Sequence, residues 1–354
     1  MTGLYIRKKD FGFRLPKFYK VILLNFTSCF YNSVCLEERN RMKGFYFSST
    51  LMWDADAETL MRTAAENGFD GIELWAQHAE TKKLDLETIR RLKKELGLNI
   101  VVHAKSWDLN YAALNDAVRR ASVEEIKSSV DMAVELGADE VTVHPPRYTL
   151  KEDEAARERA YESIREFYGY AKERGVDISM EIMEHIPKEM ATTPDGMFGI
   201  VRDLRGKLTY TIDLAHSLTE EEFFENIRIM GRVSKVHLTN KKGTKLHTPI
   251  PDGDFDFEEI YPRLLAYGFP MVIEGYEEGD HYEALTENIQ YMQTLKEKRN
   301  EEIKRTFNNS GSDNGSRNNG GGDNCSREEG RIRNPDRLHL PAGGRHPGAG
   351  GRVQ

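Results

Sequence analysis

The 354-residue sequence predicts an α/β fold, a closed (β/α)8 barrel followed by a disordered C-terminal tail. Three observations lead there. Short β-branched or aromatic runs alternate with helix-period runs eight times between residues 44 and 298. Several helical runs stop on a glycine just before the next strand, at Gly68, Gly97, Gly137 and Gly175, the left-handed stop that an αβ loop favours. No G-x-G-x-x-G follows the first strand, which removes the dinucleotide-binding open sheet.

The strand-like runs are, in order, GFYFSS (44–49), DGIELW (70–75), NIVVHA (99–104), DEVTVH (139–144), VDISMEIM (176–183), TYTID (209–213), SKVHLT (234–239) and PMVIEGY (270–276). Amphipathic runs such as AETLMRTAAENG, LETIRRLKKELG, SVEEIKSSVDMAVELG and AARERAYESIREFYGYAKERG fill the intervals. The barrel is therefore expected over residues 42–301. Residues 1–41 are basic, aromatic and aperiodic. They read either as an arm packed on the barrel or as sequence upstream of a start at Met42, where codons for Glu37-Glu38-Arg39 fit a purine-rich ribosome-binding sequence. Residues 302–354 turn rapidly to Asn, Gly, Ser and Arg, a composition that cannot bury enough surface to offset the entropy of ordering.

Hydrophobic content of 39% and aromatic content of 10% fit a soluble globular chain. A net charge of −8 gives no general attraction to DNA or RNA, which argues against nucleic acid as the partner. The three cysteines, Cys29, Cys35 and Cys325, lie outside the barrel and form no CxxC pair, so a reducing, cytoplasmic setting is expected. The most apolar run, FYKVILLNFTSCFYNSV, is broken by Lys20, Asn25 and Asn32 and is too short and mixed to cross a bilayer. No membrane partner is expected.

In such a barrel, chemistry sits at the C-terminal ends of the strands. Those ends carry Glu73, His103, His144, Glu181, Asp213 with His216, His237 and Glu274. Carboxylates and imidazoles converging on one mouth repel unless a cation sits among them. This donor set suits Mn²⁺, Mg²⁺, Co²⁺ or Zn²⁺, with no thiolate to force zinc. Competing readings stand beside each residue. His103 and His144 fit hydrogen-bonded core histidines, Asp213 an N-cap, Glu73 an ion-paired brace, and Glu181 and Glu274 buried ion pairs. The last competes poorly, because SMEIM and MVIEG offer no local cation. His78, His185 and His281 are expected to face solvent, and Asp252 and Asp254 to serve as caps.

The series GFDGIELW, VVHA, VTVHPP, SMEIMEH, YTIDLAH, KVHLTN and VIEGY resembles the xylose isomerase-like superfamily of TIM barrels over roughly residues 43–298. That superfamily includes sugar and sugar-phosphate isomerases and epimerases and the endonuclease IV class of abasic-site nucleases. For the epimerase branch the resemblance implies one divalent ion held by Glu181, Asp213, His237 and Glu274. Glu181 and Glu274 then also act as the acid/base pair, and His216 binds substrate. His103, His144, Glu73, Trp75, Lys245 and His247 complete the expected substrate contacts, with Trp53 and Trp107 as further candidate walls. For the nuclease branch it implies three zinc ions on His103, His144, Glu181, Asp213, His216, His237, His247 and Glu274, and an aspartate two residues before the last histidine. Lys245 stands there instead, and a lysine repels a cation.

The arginine that some keto-sugar epimerases carry six residues after the metal histidine is Gly243 here, with Lys241, Lys242 and Lys245 nearby. Those lysines suit a phosphate or carboxylate on the substrate, or solvent. The preferred expectation is a sugar or sugar-phosphate isomerase/epimerase with a small-molecule substrate and proton transfer through an enediolate. An abasic-site nuclease, or a metal-binding barrel without turnover, is the alternative. A homo-oligomer is left open.

Overall fold

The structure, a computed structural model, describes residues 42–312. The expectations for residues 1–41 and for the tail beyond 312 lie outside the described residues. The elements run β1 (Met42–Ser48), α1 (Ala57–Glu66), β2 (Phe69–Trp75), α2 (Ala76–Lys82), α3 (Leu86–Leu96), β3 (Asn99–His103), α4 (Asp116–Leu136) and β4 (Glu140–Val143). There follow α5 (Glu154–Glu173), β5 (Asp177–Ile182), α6 (Pro194–Val201), β6 (Thr209–Asp213), α7 (Glu220–Met230) and β7 (Val233–Leu238). A hairpin of β8 (Asn240–Lys242) and β9 (Lys245–Thr248) precedes α8 (Phe257–Tyr267), β10 (Met271–Ile273) and α9 (Glu283–Ser312). One compact unit ends at Ile303 and a second begins at Lys304. The backbone of α9 thus stays helical past the boundary at residue 301 expected from composition.

Eight parallel strands close in the order β1-β10-β7-β6-β5-β4-β3-β2, the (β/α)8 barrel that the alternation predicts. Local chemistry sets the helix ends. Asp85 caps α3 by accepting from Glu87 N, and the helix stops at Gly97 with φ +67°. Asn115 and Gly137 do the same for α4. The buried stripe of α5, Ala156, Ala160, Ile164, Phe167 and Ala171, recurs every three or four residues and faces the sheet.

Period-two alternation divides each strand between two environments. Ile72 and Leu74, Val141 and Val143, Ile178 and Met180, and Val236 and Leu238 belong to the apolar layer shared with the helices. The alternate residues meet inside the barrel and are largely polar. Thr142 Oγ1 donates to Glu73 Oε1 at 2.8 Å, Ser179 and Thr211 share a hydroxyl hydrogen bond, and Lys235 donates to Glu140. Branched aliphatics usually fill such an interior. Here the carboxylates at the mouth need partners beneath them, and the interior supplies them.

One glycine is fixed by close approach. A Cβ on Gly71 would lie 2.0 Å from the Asn99 carbonyl oxygen, on the strand paired with it, and 2.8 Å from the Tyr46 ring. Gly71→Ala is expected to destabilise the barrel by about 3 kcal/mol or more, since backbone has to move. The urea midpoint measures this; an unchanged midpoint would refute the register between β2 and β3.

Candidate active site and metal centre

The ends of β5, β6 and β7, and the residue just past β10, bring Glu181, Asp213, His237 and Glu274 together. One ligand atom from each lies within 4.8 Å of the others, and all four residues are buried. His237 Nδ1 is 2.6 Å from Glu274 Oε2, 3.3 Å from Glu181 Oε1 and 4.0 Å from Asp213 Oδ2. Glu181 Oε1 and Oε2, Asp213 Oδ2, His237 Nδ1 and Glu274 Oε2 are buried without a hydrogen-bond partner. Buried polar atoms are rarely left so, and four of these, Glu181 Oε1, Asp213 Oδ2, Glu274 Oε2 and His237 Nδ1, gather in a way that fits a divalent cation, while Glu181 Oε2 faces His103 and His144. Asp213 is not the N-cap of the next helix, since Thr219 caps α7. Its Oδ1 accepts from Ala215 N in the turn after β6, while its Oδ2 turns to the cluster.

Beneath this set, Glu73 Oε2 faces His237 Nε2 at 3.0 Å, and Lys235 Nζ lies 3.9 Å from the other Glu73 oxygen. A carboxylate on Nε2 favours the proton there and leaves the Nδ1 lone pair toward the cluster. The expectation that Glu73 meets substrate is thus corrected. It is wholly buried under the cluster and does not line the cavity, because Trp75, two residues on, takes the mouth position of β2. His103 is likewise buried out of the cavity, stacked 3.8 Å under the Trp75 ring. Its Nε2 lies 3.1 Å from His144 Nε2 and 3.5 Å from Glu181 Oε2. Trp75, His144, His216, Lys245, His247 and Glu274 do line the cavity, whose volume is about 820 Å³.

Two further ligand sets flank the first and share its carboxylates: His103, His144 and Glu181, and Asp213, His216 and His247. His216 Nδ1 donates to the Ile182 carbonyl at 2.9 Å, which directs Nε2 toward Asp213 at 3.8 Å and Glu184 at 3.7 Å. His247 adopts φ +52°, a strained conformation for a residue with a Cβ, and reaches within 3.9 Å of Asp213 Oδ2.

The electrostatics follow from crowding. Burial raises Asp213, and although His216 and His247 oppose this, Glu274 and Glu181 add to it, leaving it at about 6. Burial also raises Glu73, Glu181 and Glu274, but His237 and neighbouring cations outweigh it. Glu73 settles at about 2, Glu181 well below the usual carboxylate range and Glu274 below it. Burial lowers His216 and His237, yet the carboxylates prevail and lift His216 to about 9 and His237 well above the ordinary imidazole value. His237 thus carries compensating positive charge that a bound cation would replace.

Other expectations are corrected by packing. Lys241 donates to the Ser217 carbonyl and Lys242 pairs with Asp252, so of the three lysines only Lys245 lines the cavity. Asp252 and Asp254 cap no helix. Asp254 instead accepts from Gly243 N and, with Asp252, braces the β8–β9 hairpin, while Asp256 caps α8. Glu184, Glu189, Arg147 and Tyr276 line the cavity without having been singled out. Glu184 had a signal, three residues past Glu181 in MEIMEH. Arg147, paired with the buried Glu189, is brought in from the segment after β4 and had none.

His78 is not exposed but wholly buried, under the Trp53 ring at 4.6 Å. Its Nε2 donates to the Trp53 carbonyl and its Nδ1 accepts from Ser49, which in turn accepts from Trp75 N. Burial pushes its pKa down to about 4. From about pH 6.5 down to 4 the unfolded chain takes up a proton that the folded state refuses. Stability is therefore full above pH 6.5 and falls by up to about 3 kcal/mol on acidification. His78→Gln should flatten this part of the urea-midpoint profile; an unchanged acid slope would exclude His78 as its source.

A sequence profile of the xylose isomerase-like TIM barrel family matches residues 61–295. The uncharacterized protein MJ1311 of Methanocaldococcus jannaschii is 28% identical over 240 residues, covering 65% of this chain and 82% of that protein. Among solved structures, a D-tagatose 3-epimerase-like protein superposes with a TM-score of 0.63 at 26% identity, covering 73% of this chain and 99% of that one. An L-ribulose 3-epimerase does so at 0.59 and 17% identity, covering 74% and 97%, which shows the shared fold. No helix among the described residues is long and apolar enough to cross a membrane. With eight parallel strands closed around a mouth of carboxylates and histidines, the chain belongs to the xylose isomerase-like TIM barrel family.

Proposed function

We propose that the protein is a divalent-metal-dependent sugar isomerase/epimerase that moves a proton at the carbon beside a carbonyl, through an enediolate. The observation that carries this reading is the set of orphaned buried atoms of Glu181, Asp213, His237 and Glu274, which reaches an open cavity through Glu274. The likeness to a D-tagatose 3-epimerase-like protein supports it.

Glu181, Asp213, His237 and Glu274 would hold the ion, with Glu73 fixing the ring of His237. A bound divalent cation supplies Lewis-acid polarisation of a carbonyl and its neighbouring hydroxyl. Glu274 lines the cavity with its side chain 8% exposed and is the one placed to meet the substrate carbon, while Glu181, wholly buried below it, is assigned the partner acid/base role from the family resemblance. Both are ionised at neutral pH, ready to take the proton, and each can return one once protonated. His216 presents Nε2 and His144 its ring edge to substrate oxygens. Lys245 is the cavity-lining cation for an acidic group. In D₂O the metal-loaded protein should incorporate solvent deuterium beside the carbonyl of a ketose. A panel of free and phosphorylated ketoses with no exchange would sink the reading.

A second reading is favoured by one observation, the two flanking ligand sets that share Glu181 and Asp213. Three ions there would suit a phosphoester hydrolase of the abasic-site nuclease type. Lys245 occupies the position of a needed carboxylate, so one ion per chain is the expected stoichiometry. Three tightly held zinc ions with cleavage of abasic DNA would reverse the assignment.

A further inference from the structure

The mouth of the barrel is divided by side-chain type. Strands β5, β6, β7 and β10 supply the ionisable cluster. Segments at the ends of β1, β2, β3 and β10 supply rings instead. Trp53, Trp75, Trp107 and Tyr276 form one continuous patch, with centroids 5.7 Å apart for Trp75–Trp107 and 5.4 Å for Trp53–Trp107. Tyr276 stands 5.3 Å from Trp53 and 6.0 Å from Trp107. The inner end of the patch, Trp75, is buried against His103 and His144 at the edge of the cluster. Its indole N–H is buried without a partner. At the outer end, Trp107 is 42% and Tyr276 50% exposed. Rings left open beside a polar site mark a place where something lies on them.

The segments carrying Trp53 and Tyr276 are tied to each other. Thr50 Oγ1 donates to the Gly275 carbonyl, Glu277 N to the Thr50 carbonyl, Trp53 N to the Glu277 carbonyl and Gly279 N to Asp54. Such cross-bracing lowers the ordering cost of binding. The cavity is also larger than one sugar requires. At about 820 Å³ it lies near the top of the roughly 300–1,000 Å³ range that encloses drug-sized ligands, and a single hexose leaves most of it empty.

We propose that the substrate carries two rings: a ketose unit at the cluster and, joined to it, a second neutral ring lying on Trp107 and Tyr276. The shared chemistry of that second ring is a flat apolar face, given by the C–H side of a second sugar or by an aryl aglycone. This rests on the isomerase/epimerase reading for the reacting end.

All three tryptophans of the chain lie in the patch, so intrinsic fluorescence reports occupancy directly. The full chain, loaded with Mn²⁺, is titrated with D-fructose, with the keto-disaccharides turanose, maltulose and isomaltulose, and with an aryl glycoside of a keto-sugar, phenyl 3-keto-β-D-glucoside. At least one two-ring ligand should bind tenfold or more tighter than D-fructose. The disaccharide and aryl arms distinguish the two kinds of second ring. Trp107→Ala should weaken the preferred two-ring ligand about tenfold more than D-fructose, whereas Trp107→Phe, which keeps a ring, should retain most of the preference. Equal affinity for one-ring and two-ring ligands, or equal loss of both in Trp107→Ala, overturns the proposal. Deuterium exchange is read separately. Two-ring preference without exchange keeps the platform and sinks the isomerase reading; exchange into D-fructose without that preference does the reverse.

Discussion

Glu274→Gln is expected to abolish solvent deuterium exchange into ketoses, with a loss on the order of 10²–10⁴-fold from proton transfer alone. The amide matches the carboxylate in shape but neither takes nor returns a proton. Glu274 suits the role because His237 outweighs burial and keeps it ionised, and because it lines the cavity while Glu181 lies below. Metal content must be measured alongside, since Oε2 also belongs to the ligand set. Exchange at the wild-type rate in a metal-loaded Glu274→Gln protein would remove Glu274 from the mechanism. Glu73→Gln makes the useful contrast. It never meets the cavity, so its effect should come mainly as weaker metal binding through a loosened His237.

Removing the ion is expected to lower the unfolding temperature by about 6–16 °C. An ion present at 100 to 1,000 times its dissociation constant stabilises the folded state by about 3–4 kcal/mol, and a domain of this size shifts about 2–4 °C per kcal/mol. The physical source is the crowd of buried carboxylates, Glu181, Asp213 and Glu274, around His237; burial first, with Glu274 and Glu181 adding to it, holds Asp213 up at about 6. His237 must give up its proton to bind metal, and its raised pKa means the proton competes, so affinity should rise with pH. Calorimetry with and without chelator, followed by Mn²⁺ or Zn²⁺ titration at two pH values, measures both effects. A chelator-insensitive, pH-independent transition would contradict a metal centre here.

Much of this was legible along the chain because it is written locally. Alternation of two periodicities gave eight strands, and Gly68, Gly97, Gly137 and Gly175 do adopt positive φ where helices stop. The four residues of the proposed metal set come from strand ends that the sequence exposes as polar interruptions of apolar runs. What was not legible is the cation for the buried carboxylates. No lysine or arginine neighbours Glu181 or Glu274 in sequence, and in the fold His237 and His144 serve, with Lys235 crossing the barrel to Glu140, 95 residues away. The lysine-rich loop misled for a similar reason. Lys241 and Lys242 are spent on holding the hairpin, and only Lys245 turns inward.

The sequence by itself determined the barrel, its strand ends and the kinds of donor gathered there. Those follow from side-chain period and helix caps, which are properties of neighbours in the chain. Only the tertiary structure decided depth. Whether a strand-end residue touches substrate, holds a ligand from below or lies under a ring depends on how strands stagger around the barrel. That stagger places Trp75 opposite His103 and over it, and sinks Glu73 beneath His237. Register is fixed by pairing between strands distant in sequence, so no single run of residues could carry it.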